Sequence, residues 1–130
     1  MNILVGYDGS NAAKDAVRLA QKHAKAFDAG VHVMTSLPGG DETSAEDVRD
    51  AEKGLADAKD IFDQEGIPCE THVIVHGQAP GEDLVEFAKD KGIDQIVVGV
   101  RRRSRVGKML MGSTAQYVIL EAPCPVLSIK

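Results

Sequence analysis

The sequence predicts an α/β fold built on a buried parallel sheet, and three observations carry that expectation. Short apolar runs alternate with helix-length stretches whose apolar residues recur every three or four positions. The short runs are rich in Val, Ile and Leu, as strands covered on both faces are. Aromatic residues make up only 4% of the 130, with no Trp, so aliphatic side chains and Ala must fill the core. At this length a single domain, residues 1–130, is expected.

Ile3-Leu4-Val5 reads as a first strand, and Asp8-Gly9-Ser10 supplies a turn and an N-cap for a helix running to Phe27. The inward stripe of that helix is Ala13, Ala16, Val17, Ala20, Ala24 and Phe27, with Gly30 as its stop. Val31 to Leu37 follows as a second strand, broken by Pro38-Gly39-Gly40. After the acidic segment 41–50, Ser44 can cap a second helix with Val48, Ala51, Leu55, Ala58 and Phe62 on one face, and Gly66 ends it. Cys69 to Val75 is a third strand, His76-Gly77 a turn, Gly81 to Lys91 a third helix and Gly92 its C-terminal stop. Ile96-Val97-Val98 is a fourth strand. A basic loop, a helix from Ser113 to Leu120, a Pro123/Pro125 break and a strand at Val126–Ile129 complete the chain.

This order predicts right-handed crossovers, five parallel strands and three layers, α/β/α. Ligands of such open sheets sit beyond the carboxyl ends of the strands. Two of those ends carry chemistry: Gly6 to Ser10 after strand 1, and Gly99 to Thr114 after strand 4.

Composition narrows the function. A net charge of −5 argues against general nucleic-acid binding, and no apolar run approaches the roughly 20 residues of a membrane span. No basic leader precedes the first strand, so a cytoplasmic protein without a membrane partner is expected. Cys69 and Cys124 lack a Cys or His at metal spacing, so reduced, inert thiols are expected and no metal ligand is assigned. Yet Arg101, Arg102, Arg103, Arg105 and Lys108 stand together without an intervening acid. One concentrated +5 stretch in an otherwise acidic chain points to a local anionic ligand.

A phosphate needs backbone N–H groups, room for close approach and positive charge. Gly112-Ser113-Thr114 at a helix start offers all three, with the arginines just before it. The plain alternative is that Ser113 only caps the helix and the arginines only face solvent. A Walker A loop is excluded because Met109 follows Gly107-Lys108, and Gly6 and Gly9 lack the third glycine of a dinucleotide-binding fingerprint. Asp8 has two readings, a ligand to ribose or magnesium and an Asx turn that starts helix 1. His23, His32, His72 and His76 are scattered, and none has a nucleophile partner by spacing.

Val5-Gly6-Tyr7-Asp8-Gly9-Ser10, Gly77, Ile96-Val97-Val98-Gly99, Gly112-Ser113-Thr114 and Ala122-Pro123-Cys124-Pro125-Val126-Leu127, in this order, resemble universal stress proteins over essentially the whole chain. That resemblance implies an adenine nucleotide alpha hydrolase-like sheet in the order 3-2-1-4-5. It also implies a stress-response homodimer pairing through Val126, Leu127, Ser128 and Ile129 and, in one branch, ATP, AMP or ADP as ligand, with Mg2+. The ATP-binding branch carries G-x2-G-x9-G-S/T. Here Gly99, Gly112 and Ser113 keep the spacing, and Arg102 replaces the second glycine. Carried over residue by residue, Gly6, Tyr7 and Asp8 flank the adenosine and main chain near Ser36 holds the adenine. Gly99, Arg101, Arg102, Gly112, Ser113 and Thr114 surround the phosphates. The resemblance leads to a nucleotide-binding regulator without a catalytic residue. An enzyme, a slow ATPase or a nucleotidyl-transfer domain that loses turnover in Asp8→Asn, and a dimerisation module without nucleotide, are the rival readings.

Overall fold

The computed structural model describes residues 1–75, 78–100 and 112–130. In chain order these form β1 (Asn2–Gly6), α1 (Asn11–Phe27), β2 (Gly30–Leu37), α2 (Ala45–Asp63), β3 (Cys69–Val75), α3 (Pro80–Lys91), β4 (Gln95–Gly99), α4 (Ser113–Glu121) and β5 (Val126–Ile129). A 3-10 turn at Gly40–Glu42 precedes α2. The strands make one parallel sheet in the order β3-β2-β1-β4-β5, as expected.

Strand alternation decides which helix each apolar residue meets. Ile3, Val5, Val31, Val33 and Val97 point to the face covered by Ala16, Val17, Ala20 and Ala24 of α1 and by Leu55, Ala58 and Phe62 of α2. Leu4, Met34, Ile96 and Val98 point to the other face, against Leu84, Val85 and Ala88 of α3 and Ala115 and Val118 of α4. Ile3, Leu4 and Val5 are fully buried, since β1 is the central strand and has a helix layer on each side.

Local signals set most helix ends. Ser10 Oγ accepts the Ala13 N–H at 3.1 Å, and Ser44 forms a reciprocal capping box with Asp47. Pro80 occupies the first turn of α3, and Gly92 ends it in the left-handed region at φ 62°. Two expectations fail at α1. The helix stops at Asp28 (φ 52°), before Gly30, because a short polar side chain tolerates the left-handed turn that returns the chain to β2. Phe27 is 58% exposed and lies against His23, because the chain reverses there and Ala29 takes the buried place. Gly30 instead opens β2.

Both cysteines are free. Burial pushes the Cys69 thiol from 9.0 up to about 11, and burial together with Asp94 raises that of Cys124. Both therefore hold their protons in the fold at a pH where the unfolded chain has lost them. Stability is expected to be intact below pH 9 and to fall as the pH climbs through the folded value near 11. Urea midpoints measured from pH 8 to 11 check this, and Cys69→Ala should flatten the decline.

Candidate functional site

The chain leaves β1 for β2 and β3 on one side and returns to β4 and β5 on the other, so strand order reverses between β1 and β4. Crevices of parallel sheets open at such a point. A cavity of about 640 Å³ opens here, beyond the carboxyl ends of β1, β2 and β4, within the size range of small-molecule sites. Gly6, Tyr7, Asp8, Ser36, Gly99, Gly112, Ser113 and Thr114 all line it. Arg101 and Arg102, the other two residues assigned to the nucleotide from the sequence, lie outside the described residues, as do the rest of 101–111, with Arg103, Arg105 and Lys108, and the predicted turn at His76-Gly77.

The rim is tied together strand by strand. Tyr7 N–H donates to the Met34 carbonyl at 2.8 Å, and Thr35 Oγ1 donates to the Tyr7 carbonyl at 2.8 Å. Asp8 Oδ1 accepts the Ser10 N–H at 3.0 Å, so the Asx turn exists, and the same residue also faces the cavity. Of the two readings of Asp8, the structure shows the Asx turn, and this turn leaves Asp8 on the cavity wall. Burial, with help from the carboxylates of Asp57 and Asp8, raises the Tyr7 phenol above its ordinary 10.0.

Three helix starts reach the cavity, through Ser10 and Ala13 of α1, Pro80 of α3, and Gly112, Ser113 and Thr114 of α4. Each contributes the positive end of a macrodipole, but two of them are already answered. The Ser10 hydroxyl caps α1, and α3 carries Glu82 and Asp83 in its first turn, with a proline at its start that has no N–H to offer. The first turn of α4 has no acid, and among the described residues no side chain caps it. Its cap position is Gly112 and its first helical residue is Ser113, which removes the reading of Ser113 as an N-cap. Among the described residues the first N–H groups of α4 are thus the ones left without a side-chain partner at the cavity.

Two glycines make room. A Cβ on Gly99 would stand 2.4 Å from the Ala12 carbonyl oxygen, so β4 and the start of α1 approach as closely as they do only because Gly99 lacks one. Gly112 differs. Its backbone (φ −62°, ψ 152°) suits any residue, and a Cβ there would meet nothing within 4 Å. Neither packing nor conformation of the described residues requires glycine at 112.

Sequence reasoning missed the apolar part of the wall: Ala13, Met34, Pro80, Leu84 and Val98. It also missed Asp83, a carboxylate only 4% exposed. Ser36 Oγ donates to Asp83 Oδ2, and the Gln78 amide nitrogen donates to Asp83 Oδ1 at 2.9 Å, its amide oriented by that carboxylate and Glu86. Ser36 is therefore positioned by α3, which no local pattern foretells. Among the described residues no helix is long and apolar enough to cross a membrane.

The sequence model of the universal stress protein family matches residues 1–130. The chain belongs to the universal stress protein family. A universal stress protein of Thermus aquaticus, named for the QAH/OAS sulfhydrylase 3' region, is 34% identical over 98% of this chain and 97% of its own length. The structure of a universal stress protein from Archaeoglobus fulgidus superposes with a TM-score of 0.88 at 38% identity, covering 100% of this chain and 93% of that one. A structure of the universal stress protein from Archaeoglobus fulgidus in complex with dAMP gives a TM-score of 0.86 at 37% identity, over 100% of this chain and 98% of the other.

Proposed function

We propose that this universal stress protein is a nucleotide-binding regulator whose 640 Å³ cavity holds an adenine nucleotide, ATP or its mono- and diphosphates. The start of α4, uncapped among the described residues and preceded by a Gly112 that none of them requires to be glycine, carries the proposal, because those N–H groups match a phosphate in charge and hydrogen bonding. The dAMP complex of the Archaeoglobus fulgidus relative supports the same ligand class.

In this reading Gly112, Ser113 and Thr114 take the phosphates, joined by Gly99, Arg101 and Arg102. The adenine lies against Met34 and Leu84 near the Ser36 main chain, and Gly6, Tyr7 and Asp8 flank the ribose. With a triphosphate, Asp8 is the carboxylate on the cavity wall that suits a magnesium ion shared with phosphate oxygens.

The same proposal places the protein in the cytoplasm as a homodimer through Val126, Leu127, Ser128 and Ile129. β5 is an edge strand, and beside it α4 leaves Leu120 74% and Ile119 42% exposed, an apolar margin that a second copy would cover. Calorimetric titration with AMP, ATP with and without magnesium, and inorganic phosphate tests the ligand. One nucleotide per chain is expected, and absence of heat at millimolar nucleotide ends the proposal. Sedimentation of the same sample tests the dimer, which a monomer at working concentration refutes.

A further inference from the structure

The parallel register of β2 and β3 sets His32 opposite Glu70 and Met34 opposite His72. Residues two apart on a strand share a face, so His32, Glu70 and His72 stand together on the α3 side of the sheet. His32 Nδ1 lies 3.0 Å from His72 Nε2, and Glu70 Oε2 lies 3.5 Å from the first nitrogen and 4.0 Å from the second. A tetrahedral ion with bonds of about 2.0–2.1 Å separates its ligand atoms by about 3.4 Å. The three observed separations straddle that value, so small side-chain adjustments would close the set around one ion.

The surroundings hold the two rings in place. The imidazoles stack at 5.3 Å between centroids, and the Phe87 ring of α3 lies 5.5 Å from His32 and 4.8 Å from His72. Both histidine side chains are mostly covered, at 16% and 24% exposure, while Glu70 at 72% faces water and leaves an approach open. The nearby thiol of Cys69 packs against the opposite core and is no part of the set. Lys91 acts electrostatically on His72 and opposes a dication, and the Glu70 carboxylate offsets it.

We propose that His32, Glu70 and His72 form a binding site for a divalent transition-metal ion, with zinc as the best fit and water in the fourth position. Two imidazoles and one carboxylate suit a borderline-soft ion and select against magnesium and calcium, which prefer oxygen ligands. The site lies on the β2–β3 side of the sheet and does not depend on the nucleotide reading.

The test uses the full chain after exhaustive chelation. Zinc titrated against a chromophoric chelator should show one tight equivalent, and cobalt should give the visible bands of a tetrahedral site without a thiolate charge-transfer band. His72→Gln should weaken zinc at least about 30-fold and Glu70→Gln about 10-fold. Long-range proton–nitrogen spectra of the unmutated protein avoid any folding defect of the variants: zinc should shift the His32 and His72 ring signals and leave His23 in place. Unchanged His32 and His72 signals under saturating zinc, or affinity retained in His72→Gln, would show a hydrogen-bonded histidine pair packed under Phe87 and overturn the proposal.

Discussion

Gly112→Asp is expected to move stability and ligand binding in opposite directions. The backbone at 112 is extended and a Cβ meets nothing within 4 Å, so the substitution introduces neither clash nor strain among the described residues. Aspartate is a good N-cap, and its charge complements the helix dipole. With α4 uncapped, the unliganded protein should gain about 0.5 kcal/mol, or roughly 2 °C in thermal midpoint. The same carboxylate would occupy the N–H groups assigned to phosphate and repel the anion. Affinity for AMP or ATP should fall on the order of 100-fold, about 2.7 kcal/mol. Calorimetry and thermal unfolding on one preparation read both quantities. Unchanged affinity in a protein of raised midpoint would move the phosphates away from α4. Lost affinity with a lowered midpoint would mean that the substitution damaged the fold.

Gly99→Ala is expected to be the most destabilising single-methyl change in the site. In an ordinary strand the substitution would stabilise, since glycine costs about 0.5–1 kcal/mol relative to alanine. Here the new Cβ would stand 2.4 Å from the Ala12 oxygen and 2.5 Å from its carbonyl carbon, and these are backbone atoms that no rotamer change can move. The start of α1 would have to slide along the sheet, disturbing the Ser10 cap and the Asp8 turn that follow β1. Overpacking of this kind should cost about 3 kcal/mol, or roughly 10 °C. Urea midpoints give the number. A loss under about 1 kcal/mol would show that α1 adapts freely and that the close approach is not a structural requirement. Because Asp8 and Ser10 move with α1, nucleotide affinity should fall as well, whereas a Gly81→Ala change against the Tyr117 ring should leave it unchanged.

How far the sequence alone reached varies with the residues concerned. Eight of the ten residues named from it line one cavity, because glycines, a helix start and an Asx turn at strand ends are local signals. The Asp28 stop was missed, since asparagine and aspartate in the left-handed region carry a weaker signature than glycine two positions later. The start of α4 at Ser113 was legible, and of the two roles open to that hydroxyl the structure removes the N-cap, because the cap position falls on Gly112.

What the sequence by itself determined is the strand and helix periodicity, the two chemically equipped strand ends and the family. Each of these rests on residues close together in the chain or on a motif order, so short-range physics writes it plainly. Only the tertiary structure decided that Met34 and Leu84 wall the cavity, that the Asp83 carboxylate holds the Ser36 hydroxyl, and that His32 meets His72 and Glu70. Those meetings depend on the register of parallel strands joined by crossover helices and on which helix covers which face. A one-residue slip of β3 against β2 would turn Glu70 and His72 to the opposite side. Nothing local encodes that register; it is set by the two apolar cores closing at once over both faces of β1.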